Sequence, residues 1–214
     1  MRCKLREPVS GLTHLAGAVL SVVGTVFLIV FAVSRGTPIN IASVSIFGAS
    51  LILLYTASSL YHLLTVSQKA IGVLRRIDHM MIYILIAGTY TPVCLIGLKE
   101  KLGLGLLIGI WSLAVLGIVL KLVWFNAPRW IYTSFYLVMG WLVIIAIIPL
   151  IRRIPLAGIW LLVAGGIFYT IGAVIYGAKW PFRKSTIFGF HEIFHIFVML
   201  GSLSHYFFVL EYLT

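Results

Sequence analysis

The sequence is short of acid. Five Asp and Glu residues stand against sixteen Lys and Arg among 214, and only 10% of the chain is charged, where soluble domains carry about 25%. That poverty excludes a well-solvated globular surface. Cysteine is scarce too: Cys3 lies in the polar N-terminal tail and Cys94 near the far end of an apolar run, so no disulfide framework is expected. Alternating apolar and polar strand patterns are missing, which leaves helices as the spanning element, because every backbone group in lipid needs an internal partner. No small-residue cleavage site follows the first apolar run, so that run is expected to stay as a span. No solenoid-type repeat, low-complexity tract or long linker is present.

What the chain has is hydrocarbon. Hydrophobic residues make up 62% and the mean hydropathy is +1.13. Seven apolar runs approach the length of about 20 residues that crosses a bilayer: 10–33, 41–66, 77–97, 103–123, 130–150, 155–178 and 187–211. The reading is an all-α polytopic membrane protein, with residues 1–214 forming a single seven-helix transmembrane domain.

The charge of +11 does not point to nucleic acid, because the basic residues fall between spans. Eleven lie on one side: Arg2, Lys4 and Arg6, then Lys69, Arg75 and Arg76, then Lys121 and Arg129, then Lys179, Arg183 and Lys184. The other side has five, Arg35, Lys99, Lys101, Arg152 and Arg153. An excess of cytoplasmic Lys and Arg then puts the N-terminus in the cytoplasm and the C-terminus outside.

Against this background the last apolar run is unusual, because it opens with His191-Glu192-Ile193-Phe194-His195. Residues i and i+4 share a helix face, so His191 and His195 form a metal-ligand pair. At that depth an ionisable group is costly unless partnered. His62 at the end of span two and Asp78 in the first turn of span three fall at the same level, so four polar positions from three spans coincide. Three imidazoles with an open fourth position are the coordination set of catalytic zinc, which brings water towards ionisation near pH ~7. Asp78 is expected to hold that water and take its proton. Ser58, one turn before His62 on the same face, is a candidate for the water or an oxyanion.

Other polar residues are read more plainly. His191-Glu192-x-x-His195 matches the H-E-x-x-H pattern of zinc proteases. Glu192, however, sits about 100° around the helix from His191 and is expected to turn away and pair with Lys184 or Arg183. Glu7 and His14 reach the same level as the cluster, either as support for the ligands or as an interfacial pair. His79 is expected to make an interhelical hydrogen bond. His205, roughly 21 Å beyond His191 along the helix, is too remote for the same ion. Spans four and five read as scaffold, with Trp111, Trp124, Trp130 and Trp141 partly as interface anchors. Small residues and Pro92 in Ala87-Gly88-Thr89-Tyr90-Thr91-Pro92 predict close packing and a kink in span three.

These motifs carry a resemblance. Ser58-x-x-x-His62, Arg76-Ile77-Asp78-His79 with the 87–92 segment, and Phe188-Gly189-Phe190-His191-Glu192-Ile193-Phe194-His195 resemble the hemolysin III family. So does the opening Glu7-Pro8 with Thr13-His14. The resemblance spans nearly the whole chain. It implies a bacterial plasma membrane protein, related to the progestin and adiponectin receptors and to alkaline ceramidases. It also implies zinc on His62, His191 and His195, with Asp78 on the water and Ser58 beside it, and it demotes Glu192. The long N-terminal region of the animal receptors is not matched, so adiponectin-type signalling does not transfer.

Activity stays open. A zinc-dependent hydrolase of a lipid amide or ester, ceramidase-like, comes first, with membrane lipid as its partner. A heptahelical sensor or regulator with structural zinc is the main alternative. A lytic or pore-forming protein lacks a sustained polar stripe to line an aqueous pore, and an intramembrane protease requires Glu192 as base.

Overall fold

The computed structural model describes residues 5–98, 100–182 and 188–214, and all regular structure among them is helical. Cys3, Arg2, Lys4, Lys99, Arg183 and Lys184 lie outside the described residues. The helices are α1 (Pro8–Arg35), α2 (Pro38–Leu63), α3 (Gln68–Pro92), α4 (Glu100–Val123), α5 (Arg129–Trp141), α6 (Ile147–Ile151), α7 (Leu156–Ala178) and α8 (Phe190–Tyr212). Seven stretches among the described residues are long and apolar enough to cross a membrane, with α5 and α6 sharing one crossing. The protein is a seven-helix membrane bundle.

Local chemistry sets the starts. Pro8 and Pro38 open α1 and α2, where a missing N–H costs nothing and the fixed φ suits the first turn. Asn40 Oδ1 accepts from the Thr37 N–H at 3.2 Å. Ser67 Oγ accepts from the Ala70 N–H at 3.3 Å. With that cap, α3 begins well ahead of the apolar run read at 77 and carries Arg75 and Arg76 on helix rather than loop.

In span three, Pro92 closes α3 and is followed by a π-helical turn over Val93–Gly97. Span five is broken in a way composition does not announce: residues Leu142–Ala146 tighten into a 3-10 stretch. Backbone groups released by such a break need partners in an apolar interior. Tyr90 provides them from α3, its hydroxyl donating towards the carbonyls of Met139 at 2.9 Å and Gly140 at 2.7 Å. It also accepts from the Val143 N–H at 2.8 Å.

Two buried clusters flank the interior. One is built around Phe47, Leu54, Tyr55, Phe208 and Val209, the other around Tyr83, Ala87, Tyr90, Ile110 and Met139. Large apolar side chains such as Val19, Phe27, Ile108 and Ile145 point outward, as a lipid-facing surface requires. α1 packs on both α2 and α8, and α2 packs on α3. Those contacts bring the polar ends of α1, α2, α3 and α8 together.

Candidate metal centre

The site begins with close backbone approach. A Cβ on Gly11 would lie 2.3 Å from Leu63 Cδ2, so glycine lets the first turn of α1 meet the last turn of α2. There the Glu7 N–H donates to the His62 carbonyl at 3.0 Å. The Glu7 carboxylate also reaches the His62 side chain at Nδ1, and that hydrogen bond holds its carboxyl below the ordinary carboxylate range. A neighbour on Nδ1 directs the other ring nitrogen, Nε2, towards the interior. His195 is oriented similarly, with Nδ1 3.3 Å from the Ser10 carbonyl.

The remaining nitrogens converge. One ligand atom from each of His62, His191 and His195 lies within 4.8 Å of the others, and the Nε2 atoms of His62 and His191 are 3.3 Å apart. That spacing also suits an N–H···N hydrogen bond between two neutral rings. However, nitrogens bound tetrahedrally to one zinc at ~2.0–2.1 Å are themselves roughly 3.3–3.4 Å apart. With a third buried imidazole turned to the same point, the donor set fits a metal ion. The three histidines come from two helices, α2 and α8. Asp78 enters from α3 and stands outside the three-nitrogen group.

Asp78 and Ser58 are both buried. They line a cavity of about 290 Å³ together with His14, His191 and His195. Its inner end reaches Thr89, Tyr90, Trp141, Gly166 and His205, residues shared with a second cavity of about 170 Å³. The lining is largely apolar and aromatic, suited to hydrocarbon.

Known proteins supply the identity. The chain matches the family described as "Haemolysin-III related" over residues 3–206. The chain belongs to the hemolysin III family. Among relatives of this hemolysin III chain, the "Hemolysin-3 homolog" of Bacillus subtilis is 45% identical over 207 residues, covering 96% of this chain and 93% of that protein. "Hemolysin-3" of Bacillus cereus is 41% identical over 209 residues, covering 96% and 91%. The human "Monocyte to macrophage differentiation factor" is 26% identical over 178 residues, covering 78% and 69%. Family and bundle together make this a multi-pass membrane protein of the bacterial plasma membrane.

Within the hemolysin III bundle, some expectations for the other polar residues hold and others need correction. Glu192 accepts from Ser10 Oγ at 2.6 Å and from the Gly189 N–H at 2.8 Å, so α1 and its own helix start hold it. The expected bases Lys184 and Arg183 are outside the described residues. Glu7 and His14 do not pair with each other. Glu7 contacts Arg6 and His62, while His14 stacks on His195 with ring centroids 3.7 Å apart and both its nitrogens lack a hydrogen-bond partner. At His79 the carbonyl, not the ring, accepts the interhelical bond from Tyr136 at 3.2 Å. His205 does bond another helix, through Nε2 to the Leu162 carbonyl at 3.1 Å.

Spans four and five are more than scaffold: their residues Lys121, Arg129, Tyr132 and Tyr136 line the main cavity. Trp111 and Trp141 hydrogen-bond Thr91 at 3.2 Å and Thr170 at 2.9 Å inside the bundle. Ser10 was not singled out from sequence. Its signal was its position: Glu7, Ser10 and His14 recur at helical spacing on one face of α1.

Proposed function

We propose that this protein is a zinc-dependent hydrolase that cleaves an amide or ester bond of a membrane lipid. The observation that carries the reading is the shared wall: His191 and His195 of the imidazole cluster open, with Asp78 and Ser58, onto one largely apolar cavity, and His62 backs them from α2. His62, His191 and His195 would hold the ion. Bound zinc supplies Lewis acidity towards a carbonyl and lowers the pKa of water. Asp78 is placed to orient a water in the cavity and accept its proton. Ser58 is placed to donate a hydrogen bond to a carbonyl oxygen gaining negative charge. Glu7 and Ser10 keep two of the imidazoles in the required orientation, and the inner cavity takes the hydrocarbon chain. Lys and Arg asymmetry between the loops supports a cytoplasmic N-terminus, which puts the site at the cytoplasmic leaflet.

Asp78→Asn tests the assignment. It is expected to retain zinc and lose hydrolysis of an N-acyl or ester lipid, followed by mass spectrometry of purified protein in lipid micelles. Loss of zinc together with activity would make Asp78 a ligand instead. Zinc-loaded wild type that turns over no such lipid would favour a heptahelical regulator. One observation supports that second reading: the donors come from two helices, so an ion would clamp α2 to α8. The haemolysis in the name of the Bacillus cereus relative would then be an indirect consequence of altered lipids, because the spans lack a continuous polar stripe for an aqueous pore.

A further inference from the structure

A lysine near a span end ordinarily extends its ammonium to the interface, yet Lys121 is 2% exposed and lines the main cavity. Its Nζ lies 3.4 Å from the Tyr132 ring centroid and 5.0 Å from that of Phe125. Aromatic faces offset part of the cost of burying a cation but accept no conventional hydrogen bond. Arg129, from the uncapped first turn of α5, lines the same cavity and stands 4.9 Å over Tyr176. Its Nη1 is buried without a hydrogen-bond partner. Arg75, also on the wall, is 5.4 Å over Phe125.

None of the three has a carboxylate partner. The ion pairs among the described residues are those of Glu7 with Arg6 and His62. Asp78, the acidic residue on this wall, is beyond ion-pair distance of all of them. Three cations on the wall of one cavity, Lys121 2% exposed and Arg129 with its Nη1 buried and unpartnered, leave a charge deficit that a bound anion would remove. Loop charge asymmetry alone explains exposed lysines and arginines, not a buried one.

We propose that Arg75, Lys121 and Arg129 bind a phosphate group on the wall of the cavity, so that the lipid taken by this protein is anionic and phosphate-bearing. This rests on the lipid-hydrolase reading for its consequence, but the binding itself does not require turnover. Guanidinium forks and an ammonium match the several anionic oxygens of a phosphate better than the two of a carboxylate. The hydrocarbon of the same molecule would then run inward towards Tyr90 and Trp141. A neutral lipid would leave the three cations unpaired.

The test is binding of phosphatidic acid and of diacylglycerol with identical chains to full-length protein, read by native mass spectrometry in detergent, with zinc content measured in parallel. Wild type should retain phosphatidic acid over diacylglycerol. Lys121→Met and Arg129→Gln should each weaken phosphatidic acid binding by about tenfold, the factor that corresponds to 1.4 kcal/mol. Diacylglycerol binding and zinc content should stay unchanged, and Lys121→Arg should restore the preference. Equal loss for both lipids, or none for either, overturns the site. Stabilisation of wild type but not of Lys121→Met by inorganic phosphate, without preference for phosphatidic acid, keeps the anion site and overturns the lipid as its source. Selective phosphatidic acid binding by a protein that hydrolyses nothing upholds this site and sinks the hydrolase reading. Should Lys121→Met fail to fold, Arg129→Gln decides alone.

Discussion

Glu7→Gln probes how α1 controls the metal centre. Glu7 touches His62 Nδ1, on the far side of the ring from the nitrogen that faces His191, so its effect on an ion is transmitted through the imidazole. Removing a carboxylate behind a metal-binding histidine costs 10–100-fold in affinity, roughly 1.4–2.7 kcal/mol. Glutamine keeps an acceptor oxygen and loses the charge. Because the Glu7 side chain is 44% exposed, that charge is partly screened by solvent, and the lower end, about tenfold, is expected. Glu7→Ala loses the acceptor as well and should approach the upper end. The backbone bond from residue 7 to the His62 carbonyl survives both changes, so the start of α1 stays in place. The assay is competition for zinc against a chromophoric chelator in a metal-buffered detergent solution, with stoichiometry at saturation. Unchanged affinity in both variants would refute the coupling; loss of all binding in Glu7→Ala at saturating zinc would make Glu7 a ligand.

Three further outcomes follow from particular contacts. Tyr90→Phe removes the hydroxyl that serves Met139, Gly140 and Val143 and should destabilise the bundle by about 1–3 kcal/mol, measured as a fall in thermal midpoint; an unchanged midpoint would mean that the span-five break satisfies itself. Gly88→Ala places a Cβ 2.3 Å from Ser50 Oγ, and overpacking of that kind costs about 1–3 kcal/mol. Adding Ser50→Gly should recover most of it, and a strictly additive double mutant would place the strain elsewhere. Chelation should lower the thermal midpoint of zinc-saturated protein, since a site filled at 100 times its Kd adds about 2.7 kcal/mol. His191→Ala should start from the lower midpoint and show no further fall; an equal fall there would locate the ion at another site.

Much of the bundle was legible because lipid imposes a simple code. Long apolar runs with polar breaks mark helices whatever their neighbours do, and four polar residues at one depth in three such runs are too costly to be idle. That is why His62, Asp78, His191 and His195 stand out in the sequence. Helical spacing also aligned His191 with His195, and Ser58 with His62. Depth, however, says nothing about azimuth: it could not tell that Glu7 rather than His14 would reach His62, or that Glu192 would turn to Ser10. Nor does hydropathy register a broken helix when the broken segment is as apolar as an intact one, as at Leu142–Ala146.

The sequence alone settled the number of crossings and the level at which the ionisable groups sit, since both depend on transfer from water to hydrocarbon, residue by residue. Tertiary packing decided which nitrogen of each imidazole is free, that α1 wedges between α2 and α8, and that Lys121 points into the protein rather than out to the interface. Those outcomes depend on rotation about helix axes and on which helices touch, and side-chain partners across different helices carry no signature in a linear hydropathy pattern.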